Sequence, residues 1–89
     1  MLGYVPVMVT VHRENGFRFV IYKDDHEPAH VHVLKDGETI VILAGADGKP
    51  QVRQDYGTTA ADVRKLMRIV IERQAEFLAK WQEMHGGTD

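Results

Sequence analysis

Residues 23–33 read KDDHEPAHVHV and hold three of the chain's five histidines, His26, His30 and His32, with Asp24, Asp25 and Pro28 among them. Imidazoles and carboxylates packed this densely suit several chemistries. They can ligate a metal, Zn²⁺ or Ni²⁺ being suitable ions for nitrogen and oxygen donors. They can move protons, one histidine acting as base and another as acid. They can contact an anion such as a nucleic-acid phosphate. They can also be plain structure, because aspartate caps turns and Pro28 fixes one.

Spacing bears on the metal option. His30 and His32 are two residues apart, so on a strand they share a face, with Cα atoms about 6.6 Å apart. Both rings could then reach one ion, at Zn–N distances of about 2.0–2.1 Å. His26 lies across the Pro28 turn and could fold back as a third ligand. Asp25, or Asp24, could supply a fourth ligand or fix a tautomer. No His-Glu-x-x-His helix accompanies the cluster. Metal-free nuclease chemistry would use the same three histidines, with Lys23 or Arg18 as the cation for a phosphate. For those two cations a solvated strand edge is the simpler reading.

The elements that must position these residues follow from periodicity. Val5, Val7, Val9 and Val11 alternate with Pro6, Met8, Thr10 and His12, which predicts a strand, with Pro6 marking an edge. Asn15-Gly16 suits a hairpin turn. FRFVIY, HVHVL and TIVILA follow as strands, and QVRQ as a short fifth one. From Thr58 the period changes. Val63, Leu66, Met67, Val70, Ile71, Phe77, Leu78 and Trp81 fall at helical spacing. Thr59 caps the start, with Asp62 in the capping-box place, and Gly86-Gly87 ends the run. The expectation is an α+β fold of one domain, residues 1–89. Its small, mainly antiparallel sheet has four to five strands within residues 4–55, and one long C-terminal helix at about 59–85 lies on a face.

That helix carries two further features. Arg64, Lys65 and Arg68 crowd its first turns, where the dipole disfavours cations. A phosphate partner would explain them; so would an ordinary solvated face. Trp81 and Met84 lie far along a helix of roughly 39 Å, which is expected to outrun its sheet. Left bare, they would form an interface with a second copy of the chain or with a small protein partner.

The bulk numbers exclude several classes. A net charge of −2 argues against a bulk basic field for nucleic acid, though a local patch remains open. The chain has no cysteine, so disulfides and thiolate metal sites are out. MLGYVPVMVTVH has neither a basic start nor a long apolar run, so no secretion signal or membrane span is expected, and a cytoplasmic location is.

YKDDHEPAHVHVLKDGE resembles the core motif of the bacterial family catalogued as domain of unknown function 4160, an Asp-His-x-Pro-Pro-His-x-His run between two strands. Asp25, His26, Pro28, His30 and His32 match it, and Ala29 stands where the second proline usually is. EFLAKW resembles the family's Glu-x-Leu-x-x-Trp ending. The resemblance implies the same strand-then-helix fold. It also implies membership of small two-gene cassettes of the toxin–antitoxin kind. The leading expectation is therefore a non-enzymatic module of such a system, binding a protein partner or nucleic acid. The alternative is a small nuclease or metal-dependent hydrolase centred on the histidines. An enzyme would need the cluster in a concave pocket, whereas a binding module needs only an exposed surface.

Overall fold

The computed structural model describes residue 3 and residues 6–86. Val5, which the alternation assigns to the first strand, lies outside the described residues, as does Gly87. The five strands are β1 (Met8–Glu14), β2 (Phe17–Tyr22), β3 (His30–Leu34), β4 (Glu38–Ile42) and β5 (Gln51–Tyr56). They form one sheet in the order β1-β2-β3-β4-β5, each antiparallel to the strand before it. The first hairpin turns at Asn15 and Gly16, whose φ values of 53° and 82° are the left-handed conformations that this residue pair tolerates. In the second hairpin Gly37 is required by space: a Cβ there would lie 2.4 Å from the Tyr56 carbonyl oxygen.

The register sorts side chains onto two faces. Pairing of Phe19 with Val33, and of Val31 with Val41, aligns Phe17, Phe19, Ile21, Val31, Val33, Val41 and Leu43 on one face, and all of them are buried. Pairing of Val20 with His32, and of His32 with Ile40, puts these residues on the other face with Tyr22, His30, Leu34 and Glu38. β5 stands apart. All six of its residues are exposed, and its register with β4 shifts between Ile40 and Val41, where Arg53 has no opposite residue.

The helical segment is two helices, not one. α1 (Ala60–Glu72) and α2 (Gln74–His85) meet at Arg73, whose φ of −107° and ψ of 18° lie outside the helical range. Neither proline nor glycine causes the break. Tertiary contacts coincide with it. Gln74 Nε2 donates to the carbonyls of Leu43 and Gly48. Arg73 lies between Glu76, at 2.8 Å, and Glu14 of β1, at 3.6 Å. The hydrogen bond from His12, with help from Arg73, holds the Glu14 carboxyl below its ordinary range. Hydrogen bonding to Glu76 raises Arg73 further. At the start of α1 the Thr59 hydroxyl accepts the Asp62 N–H, as the capping pattern anticipates.

The overhang expected of a single long helix does not occur. Trp81 is 2% exposed and belongs to the same core cluster as Leu66, Ile69, Val70 and Phe77, with Met84 half-buried against it. The bare stripe that made Trp81 and Met84 interface residues is therefore missing, and with it the reason for a homodimer or small protein partner through them. Among the described residues no helix is long and apolar enough to cross a membrane. Trp81→Ala should lower the unfolding free energy by about 3–5 kcal/mol, because it opens a cavity within the chain. Urea unfolding measures this. A loss below about 1 kcal/mol would place the indole outside the core.

Candidate functional site

The histidine site is built where β2 ends and β3 begins. Tyr22 closes β2 and exchanges two bonds with Asp25. The Asp25 N–H donates to the Tyr22 carbonyl, and the Tyr22 N–H donates to Asp25 Oδ2, each at 3.1 Å. This tight turn folds the Asp25 carboxylate back toward the sheet. The chain then rounds Pro28, and the Ala29 carbonyl accepts the Leu43 N–H, so the residue in the second-proline place is held by the backbone of the neighbouring strand.

β3 presents His30 and His32 on one face, as their spacing requires, and both are buried, at 6% and 9% exposure. Their Nε2 atoms lie 3.3 Å and 3.2 Å from the same Asp25 Oδ2. Their Nδ1 atoms point elsewhere. His30 Nδ1 is 2.9 Å from the Pro28 carbonyl oxygen, and His32 Nδ1 is 2.7 Å from Glu38 Oε2. A carbonyl only accepts, so His30 Nδ1 donates to Pro28 and carries the hydrogen of that ring. His32 has an accept-only carboxylate on each side, Glu38 at Nδ1 and Asp25 at Nε2. Aromatic neighbours fix the ring planes. Tyr22 meets His32 edge-on at 4.7 Å, and Trp81 lies 5.2 Å from His30.

Asp25 also lines a cleft of about 540 Å³. Lys23, Asp24, His26 and Glu27 form its rim, and Trp81 and His85 of α2 line it from the helical side. The Trp81 indole donates to Glu27 Oε2 at 3.1 Å and stacks on the His85 ring at 3.9 Å. Both ring nitrogens of His85 lie 3.1 Å from carbonyl oxygens, those of Trp81 and Tyr22, which pins the end of α2 to the end of β2.

The structure therefore groups Asp25, His30 and His32 and leaves His26 out of the converging set. His26 is exposed on the cleft rim. The proposed cations are dispersed. Arg18 donates to Thr10 across the β1–β2 pair, and Lys23 is on the cleft rim. Arg64, Lys65 and Arg68 are exposed on α1. That helix starts beside the β3–β4 turn, where Lys35 meets Asp62 at 3.6 Å. α1 packs through Leu66, Ile69 and Val70 on the sheet face opposite His30 and His32, so the basic residues of α1 and the histidines do not make one composite site.

Glu38, Trp81 and His85 are participants that sequence reasoning missed. For Glu38 a signal existed: it opens the strand after a short hairpin, opposite Leu34, and so shares the face of His32. Nothing in the local sequence ties Trp81 or His85 to a segment more than fifty residues earlier.

A family model described as a domain of unknown function (DUF4160) matches residues 16–82, which include the whole histidine segment. No curated protein and no solved structure matches the chain.

The tautomer assignment can be read directly. In alkaline buffer without metal, ¹⁵N NMR of the imidazoles should find His30 protonated at Nδ1 and bare at Nε2. A ring found with its hydrogen at Nε2 would refute the geometry for that residue.

Proposed function

The chain belongs to the domain of unknown function (DUF4160) family, a membership that specifies no activity, and on that premise we propose that it is a small hydrolase whose centre is the Asp25–His30–His32 trio. One observation carries the reading: Asp25, the residue both imidazoles converge on, is itself part of the wall of a cleft. Buried histidines behind a concave opening suit chemistry on a bound molecule better than adhesion to a broad surface. In this reading Asp25 and the two imidazoles are the reacting centre, and the substrate sits in the cleft that Asp25 lines.

Charge narrows the substrate class. Three carboxylates, Asp24, Asp25 and Glu27, line the cleft against the single ammonium of Lys23. A polyanion such as RNA would be repelled there, so a neutral or cationic ester or amide fits better than the nuclease substrate considered from sequence. The second reading, a toxin–antitoxin-like module that binds nucleic acid or a protein, draws on a different observation. Arg64 and Arg68 flank an open hollow with Val63, Met67 and Ile71 on α1.

Chromogenic carboxyl esters, amides and phosphodiesters separate these readings. The wild-type chain should turn over an ester or amide, and Asp25→Asn should slow it at least about 100-fold, the scale of lost acid–base catalysis. A wild-type chain no faster than Asp25→Asn on all three classes overturns the hydrolase. If the α1 reading holds instead, nucleic-acid affinity should fall steeply with salt, and each cation removed should flatten that slope by about one.

A further inference from the structure

We propose that Asp25, His30 and His32 hold one divalent transition-metal ion, bound through Asp25 Oδ2 and the two Nε2 atoms. This deepens the reading of the trio as the functional centre by naming its cofactor.

The argument starts from a count of lone pairs. When each neutral ring gives its one hydrogen to the acceptor at Nδ1, Pro28 O or Glu38 Oε2, the two Nε2 atoms and Asp25 Oδ2 are left as three acceptors that face one another. Acceptors crowded together in a buried pocket are unfavourable unless a cation lies between them. A proton can bridge one Nε2 to Asp25; a single metal ion meets all three.

The distances agree. Ligands at about 2.0–2.1 Å in a tetrahedron sit about 3.3 Å from each other. Asp25 Oδ2 lies 3.3 Å from His30 Nε2 and 3.2 Å from His32 Nε2. The three donor atoms all lie within 4.8 Å of one another. Each would-be ligand is also oriented by a second bond: Asp25 by the Tyr22 N–H, His30 by the Pro28 carbonyl, and His32 by the Glu38 carboxylate. Such outer bonds are what hold metal-binding imidazoles and carboxylates in place. Two carboxylates in contact with the histidines, Asp25 and Glu38, balance a divalent charge.

The donor set limits the ion. Two nitrogens and one oxygen suit Zn²⁺, Fe²⁺, Co²⁺ or Ni²⁺, and disfavour Mg²⁺ and Ca²⁺, which prefer all-oxygen sites. Among the described residues no fourth His, Cys, Asp or Glu atom joins the group. Three protein ligands with one position left over is the pattern of catalytic rather than structural zinc.

The test uses the full chain stripped with chelator, then given Zn²⁺, Co²⁺ or Mg²⁺ alone. Zn²⁺ and Co²⁺ should raise Tm by on the order of 10 °C at hundredfold excess over Kd. Co²⁺ should gain visible d–d absorption at one ion per chain, and Mg²⁺ should do neither. Asp25→Asn and His32→Gln should abolish the effect. Glu38→Gln, which keeps all three ligands, should weaken binding by about 10–100-fold. His26→Ala should bind as the wild type does. A folded wild-type chain with no Tm rise and no Co²⁺ absorption overturns the site, and loss of binding in His26→Ala overturns the ligand assignment. Full metal binding without turnover supports the metal centre while overturning the hydrolase.

Discussion

One carboxylate oxygen, Asp25 Oδ2, ties together the backbone turn, the two histidines and the cleft. It accepts the Tyr22 amide, stands within 3.3 Å of both Nε2 atoms, and belongs to a residue that lines the opening. Its position depends on β2 ending where it does, because the Tyr22–Asp25 turn is closed by bonds in both directions. The positions of His30 and His32 depend on the pairing of β3 with β4, which continues one step beyond β3 through the Ala29–Leu43 bond. A slip of one residue in that pairing would turn both rings to the helical face and separate them from Asp25.

The end of α2 completes the arrangement from a distance. Trp81 and His85 reach the 22–30 segment through an indole N–H, a ring stack and two ring-to-carbonyl contacts. The hydrophobic core and the polar site thus share a residue. Trp81 is buried with Phe77 and Leu66 on one side and touches the His30 ring on the other. Changes in helix packing would therefore be felt at the imidazoles without any substitution in the histidine segment.

Much of this was readable from the chain alone, for identifiable reasons. Alternation and short β-branched or aromatic runs marked the strands, although β1 begins at Met8, after Pro6 and Val7, and i, i+2 spacing correctly put His30 and His32 side by side. Asn15-Gly16 and Thr59 carried their turn and cap in their own chemistry. What failed was non-local. Arg73 is a good helix former, so its sequence gives no warning of a break that coincides with contacts from Glu14, Leu43 and Gly48. The expectation that the helix outruns its sheet leaves Trp81 bare, whereas tertiary packing buries it with Phe77 and Leu66. His26 is close to its neighbours in sequence, but it precedes Pro28 and the strand, so no register orients it toward them.

β5 has a consequence of its own. None of its residues is buried, so the strand gains little from apolar packing and depends mainly on its ladder to β4. Elements with few buried contacts open at low free-energy cost while the rest of a domain stays closed. The opening is bounded by anchors on either side: the Gly45–Lys49 backbone bond before the strand and the Thr39–Thr58 hydroxyl pair after it. Amides of β5 would then exchange with solvent far faster than those of β3, and the chain can breathe at one edge of its sheet while Asp25 and the two histidines keep their geometry.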